Sequence, residues 1–135
     1  MFKIDNHNLF EELGLPKLVE LSTAFYTRVY ADEDPWFRNM FPDDMDSAIQ
    51  NQYEFFAQRL GGPQIYSARK GHPALRARHA SFPITKRAAE RWLEHMNAAL
   101  DEVGIAGIQK EALLEFFTDT AFFLQNLDDS NQRIY

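Results

Sequence analysis

Gly71 to Pro83, GHPALRARHASFP, is the stretch whose residue types and spacing could carry chemistry, because it sets His79 just after an Arg-Ala-Arg run and before an aromatic-proline stop. Read as a short helix, it opens at Pro73, whose missing N–H is not needed in a first turn, and closes before Pro83. Leu75 and His79 then share a face, and the imidazole points into whatever cavity the longer helices enclose. Arg76 and Arg78 flank the edge of that cavity, where a flat anionic ligand would fit. A lone histidine in a short helix is more often a capped or half-buried residue with no ligand, and these residues alone leave both readings open.

Other chemistries lack their carriers. His7, His72, His79 and His95 show neither the i, i+4 pairing nor the neighbouring carboxylates that a zinc or di-iron site needs. No G-x-x-x-x-G-K loop, G-x-G-x-x-G turn or G-x-S-x-G elbow is present, so nucleotide and serine-hydrolase chemistry are excluded. With no cysteine, disulfides, thiolate metal sites and a cysteine nucleophile are excluded too. A formal net charge of -6, with basic residues concentrated only in Arg69 to Arg78, argues against nucleic acid as a partner. The first residues, MFKIDNHNLF, do not resemble a secretory signal, and no apolar run approaches the ~20 residues that span a bilayer; the cytoplasm is the expected compartment.

The chain is the size of one domain, and its 12 Phe against 2 Trp predict an interior lined with flat rings. After a polar arm and a weak turn at Leu9 to Leu13, stopped by Gly14, apolar spacing predicts a helix over 16–31 with Tyr26 on its buried stripe. The ordinary fate of that hydroxyl would be a bond to a nearby carbonyl. Trp36 to Pro42 reads as a corner whose rings insert into the core. A helix capped from the Asp43 to Ser47 run then carries Ala48, Gln52, Phe55 and Phe56 on one face, with Gln52 its polar exception. Gly61-Gly62-Pro63 ends it, the double glycine frees the chain to swing, and Pro63 to Lys70 reads as irregular. Thr85 caps a long helix with Ala89, Trp92, Leu93, Met96, Leu100 and Val103 as its stripe. His95 lies at the edge of that stripe and is expected to reach solvent. A last helix covers about 108–127. The expectation is one all-α domain over 1–135, four substantial helices plus short ones, with frayed ends at 1–8 and 128–135.

At this level of detail the sequence resembles the truncated haemoglobins, specifically their second group. The likeness runs from about Leu13 to Leu127. Its most specific segments are Phe25-Tyr26-x-Arg28-Val29, Met40-Phe41-Pro42-x-Asp44, Leu60-Gly61-Gly62-Pro63, Gly71-His72-Pro73-x-Leu75-Arg76-Ala77-Arg78-His79 and Ala89-x-x-Trp92. The resemblance implies a globin-like, truncated two-over-two helical sandwich around haem b. Without Cys-x-x-Cys-His that haem is held non-covalently. His79 matches the proximal iron ligand, its near N–H donating to a carbonyl such as that of Leu75. Arg78 matches a partner of a haem propionate, while Phe41, Phe55 and Leu75 are cofactor contacts. On the distal side, Tyr26 and Trp92 match ligand hydrogen-bond donors. Ala48 stands where many globins have histidine, and Gln52 one turn further in. Many relatives have tyrosine in place of Phe41. Three departures affect loops only: Asp32 to Pro35 is about two residues longer, Gly14 stands where a glycine pair is common, and the tail beyond Asp128 has no match.

The leading functional expectation is reversible dioxygen binding with slow release, CO and NO being other diatomic ligands of the same site. Redox chemistry at the same iron, as a nitric oxide dioxygenase or in peroxide reduction, is an alternative that would engage a reductase. A haem-free sensor or interaction module is a third. A monomer or weak homodimer is expected, with neither membrane nor nucleic acid as partner.

Overall fold

The computed structural model describes residues 8–135. The helices among them are α1 (Leu9–Leu13), α2 (Leu15–Tyr30), α3 (Pro35–Arg38), α4 (Met45–Arg59), α5 (Ile65–Lys70), α6 (Leu75–His79), α7 (Lys86–Glu102) and α8 (Gly107–Leu124). The four long ones, α2, α4, α7 and α8, are those the apolar periodicity marks out. α2 packs on α4 and α7 packs on α8, and the α2–α7 contact joins the two pairs. The residues that meet there are almost wholly buried: Leu18, Leu21, Phe25 and Val29 of α2, Phe56 and Ala57 of α4, Met96 and Leu100 of α7, Leu113, Phe116 and Phe117 of α8. Each large apolar side chain so buried contributes about 1.5–3 kcal/mol, which is what holds helices of this length together in water.

Local chemistry sets the ends. Asp44 caps α4 by accepting from Ser47 N–H at 3.1 Å, and Thr85 caps α7 by accepting from Ala88 N–H at 3.2 Å. The Gly61-Gly62 pair does not leave the chain free to swing. A Cβ on Gly62 would lie 2.6 Å from the Phe10 ring and 2.7 Å from the Ala57 carbonyl oxygen, and Phe10 N–H donates to Leu60 O at 3.0 Å. The glycines therefore let α1 dock on the end of α4.

Several boundaries differ from expectation. Pro63 to Lys70 is not irregular, because Ile65–Lys70 forms α5. Gln58 of α4 holds that turn, its Oε1 accepting from Ser67 N–H and its Nε2 donating to Ser67 Oγ. Pro73 does not open α6. Ala74 intervenes in a left-handed conformation, φ 44 and ψ 53, and the helix starts at Leu75. Trp36 belongs to one α-helical turn, α3. The last helix ends at Leu124 because Gln125 and Asn126 turn away to meet the segment after α6. The tail from Asp128 is not frayed: it folds back, pairing Leu127 with Arg133 in an isolated antiparallel bridge. The polar arm over 1–7 lies outside the described residues. No helix among the described residues is long and apolar enough to cross a membrane.

Candidate functional site

Tyr26 and Trp92 meet on Phe25, a residue assigned no role in the site from sequence, and Phe41 joins the group through Tyr26. Phe25 is fully buried, and its ring centroid lies 4.9 Å from that of Tyr26 and 4.9 Å from that of Trp92. It joins the α2 and α7 contributions to the site, and Phe117 of α8 backs Trp92 at 5.7 Å. Phe41 approaches Tyr26 edge-on at 6.2 Å and rests on buried Phe37 at 5.1 Å. The corner carrying Phe41 is pinned by the Tyr30 hydroxyl, which donates to Pro42 O, and by Arg38, stacked 4.0 Å from the centre of the Tyr30 ring. From α4, Ala48 and Gln52 are buried, whereas Phe55 is half-buried and meets Tyr66 of α5 at 5.9 Å.

Polar groups in this region lack partners. The Tyr26 hydroxyl and the Trp92 indole N–H bond to no described residue, and Gln52 Oε1 is buried without a hydrogen bond. Tyr26 therefore does not take the carbonyl partner ordinarily expected of a tyrosine on a buried stripe. An unpaired buried acceptor such as Gln52 Oε1 costs about 1–3 kcal/mol unless a ligand or water uses it, whereas Tyr26 and Trp92 are half-buried. Burial, and secondarily the neighbouring Tyr30, push the Tyr26 phenol well above its ordinary range, so it stays a protonated donor at neutral and mildly alkaline pH.

His79 is carried by α6, a five-residue helix with no buried residue of its own. Its Nδ1 lies 2.7 Å from Leu75 O. A carbonyl only accepts, so Nδ1 bears the hydrogen and Nε2 keeps its lone pair. Burial lowers the His79 pKa despite the opposing bond to Leu75, and nearby Arg78 lowers it further, which keeps the ring neutral and the lone pair available. Arg78 itself ties down the preceding loop: its Nε donates to Pro73 O at 2.7 Å, its Nη2 to Lys70 O at 2.7 Å and His72 O at 3.1 Å. Its guanidinium also lies 5.6 Å from the centre of the Tyr66 ring. Arg76 points instead to α8.

His95 departs from expectation. Rather than reaching solvent it bonds through Nε2 to Asp32 Oδ2 at 2.7 Å and stacks 5.5 Å from Phe37, directly behind the Phe41 corner. Arg91 adds two bonds to Asp32, at 3.1 and 2.9 Å, and one to Asp34 at 2.8 Å. Burial alone would raise the Asp32 pKa, but the bonds from His95, Asp34 N–H and Arg91 outweigh it and hold the carboxylate below its ordinary value. Nothing near Asp32 in sequence signals this, since Arg91 and His95 lie on a distant helix.

A family model described as bacterial-like globin matches residues 8–126. The two-on-two haemoglobin-3 of Arabidopsis thaliana is 58% identical over 125 residues, covering 91% of this chain and 71% of its own. The crystal structure of the group II truncated haemoglobin from Bacillus anthracis superposes with a TM-score of 0.84 at 37% identity, over 89% of this chain and 92% of that one. The chain belongs to the group II truncated haemoglobins. Its fold is the all-α two-over-two globin fold, the pairs being α2 with α4 and α7 with α8. The truncated, oxygen-avid haemoglobin of Bacillus subtilis is a further structural relative, with a TM-score of 0.82 at 39% identity over 87% of this chain and 98% of that one.

Membership of the truncated haemoglobins implies a haem cofactor. The side chains present fit that group. A neutral imidazole offers a free Nε2 from a helix that buries nothing by itself, and the unpaired Gln52 Oε1, Tyr26 hydroxyl and Trp92 N–H lie in the aromatic region of α2, α4 and α7.

Proposed function

We propose that this truncated haemoglobin holds haem b non-covalently through His79 Nε2 and binds dioxygen reversibly with slow release. The observation that carries this reading is the hydroxyl of half-buried Tyr26, held protonated yet bonded to no described residue. Haem, when bound, supplies an iron centre that takes diatomic ligands reversibly. The chain's own groups then decide how long a ligand stays. The Tyr26 hydroxyl would donate a hydrogen bond to dioxygen held at the site, and the Trp92 indole N–H would be a second donor. Gln52 contributes its amide either to the ligand or to the orientation of the Tyr26 hydroxyl. At about 1.5–3 kcal/mol per bond to a charged acceptor, two such donors slow escape by orders of magnitude.

Around them, Phe41, Phe55 and Leu75 would supply apolar contacts to the macrocycle. The Nη1 of Arg78, which donates to no described residue, is left for a propionate carboxylate. Ala48 is buried and offers neither a donor nor a base, so general-base cleavage of a peroxide O–O bond has no side chain at that position. The high oxygen avidity stated for the Bacillus subtilis relative supports the dioxygen reading. CO and NO are ligands of the same pocket.

The test is the visible absorption spectrum of the purified protein in ferric, dithionite-reduced and CO-bound forms, repeated on His79→Ala. A histidine-ligated b-haem spectrum that is lost or altered in the variant is the expected result. A protein that takes up no added haemin, or a variant spectrum identical to wild type, would refute the assignment.

A further inference from the structure

We propose that residues 126–135 form a strap that positions His79, with Asn126, Arg133 and Tyr135 as its positioning residues. The inference rests on the reading of His79 as the haem ligand.

Asn126 is fully buried although it lies outside any helix. Its Nδ2 donates to Phe82 O at 2.8 Å and to His79 O at 3.3 Å, and its Oδ1 accepts from Ile84 N–H at 3.0 Å. Both polar atoms of the side chain are thus committed to the six residues that begin at His79. The backbone adds to this, since Asn126 N–H and Leu127 N–H both donate to Ile84 O, at 2.9 and 3.1 Å. Beyond Asn126 the chain doubles back, Ile134 N–H donating to Asn126 O, and Arg133 Nη1 reaches Ala80 O at 3.0 Å. Within α6, the Arg76 guanidinium is stacked between Phe123 at 3.9 Å and Tyr135 at 4.2 Å, with its Nε on Phe123 O.

The carbonyls of His79 and Ala80 are groups that a helix C-terminus leaves without intrahelical partners; the strap supplies one to Ala80 O and adds a second bond to His79 O, which also accepts from Phe82 N–H at 3.0 Å. Because α6 buries no residue, these bonds, with the contact to α8, fix where its backbone sits. The imidazole inherits that position through the Leu75 carbonyl bond. Asn126 is the last residue that the family model matches, and residues 127–135 lie beyond that stretch.

The experiment uses the full chain, Asn126→Ala, Arg133→Met, Arg133→Lys and a chain ending at Leu127. Haemin transfer to excess apomyoglobin, the iron–imidazole stretching band of the reduced form, and amide exchange at residues 79–84 of the apoprotein are measured. Asn126→Ala should lose haemin about tenfold faster and the other weakened straps several-fold faster, as expected for one or two lost hydrogen bonds. The band should shift, exchange at 79–84 should accelerate, and Arg133→Lys, which keeps a donor, should stay near wild type. Should Asn126→Ala fail to fold, Arg133→Met and the shortened chain decide, since both changes are at exposed positions. Unchanged haemin loss, band and exchange in those two would overturn the proposal. A wild-type chain that takes up no haemin would instead overturn the reading of the site, and amide exchange in the apoprotein would still show whether the strap holds residues 79–84.

Discussion

Replacing Tyr26 with Phe removes one hydroxyl and leaves the ring. The edge-on contacts with Phe25 at 4.9 Å, Phe41 at 6.2 Å and Tyr30 at 6.2 Å are all ring contacts and should persist. Since the hydroxyl bonds to no described residue, its loss strands no partner in the protein, and apoprotein stability should stay within about 0.5 kcal/mol of wild type. Oxygen dissociation is different. The lost bond to a charged acceptor is of order 1.5–3 kcal/mol, so the dissociation rate should rise by about ten- to 150-fold, with faster autoxidation alongside. Stopped-flow displacement of oxygen by CO measures the rate, and urea unfolding of the apoprotein measures the stability. An unchanged rate would refute the role given to Tyr26. A fall of about 2 kcal/mol in apoprotein stability would show that the hydroxyl was satisfied within the protein after all.

Trp92→Phe should accelerate oxygen release less than Tyr26→Phe does, and an unaltered stretching frequency of bound CO would show that the indole N–H points away from the ligand. Asp32→Asn removes a carboxylate whose side chain is 4% exposed and which faces Arg91 and His95, both partly solvated; the cost should be about 2 kcal/mol by chemical denaturation near neutral pH. The Asp32 pKa is lowered on folding, so its contribution is complete above the ordinary value of 3.8 and is lost as pH falls through the lowered one. The gap between wild type and variant should therefore close only in acid below that value, and a gap that closes between neutrality and mild acid would contradict the assignment. Ala74→Gly should stabilise the protein by about 1 kcal/mol, because a left-handed φ of 44 penalises a Cβ, and a loss of stability in thermal unfolding would refute this.

The long helices were legible because each buries a stripe of its own, and the Asp44 and Thr85 caps because a cap acts within three residues. Tyr26, Gln52, Trp92 and His79 could be placed on or beside apolar faces for the same reason, but the roles of Tyr26 and Trp92 at the site were implied only by the resemblance to the truncated haemoglobins. What escaped was set at a distance. The α5 turn depends on the Gln58 side chain from the preceding helix, and Ala74 adopts a conformation that no local preference of alanine favours. His95 was assigned to solvent because its partner Asp32 is 63 residues away. Phe25 looked like one more core ring, and only the packing of α2 on α7 shows that it joins Tyr26 to Trp92.

The strap bears on the order of assembly during synthesis. Its bonds to residues 79–84 join positions 42 to 53 apart in sequence. A ribosome delivers the chain from its N-terminus, so α2, α4 and α7 can collapse on one another while Asn126 and Arg133 are still unmade. The segment that carries His79 is thus among the last to lock, and a nascent chain whose main core has already formed would still present a loose proximal side until those final residues emerge.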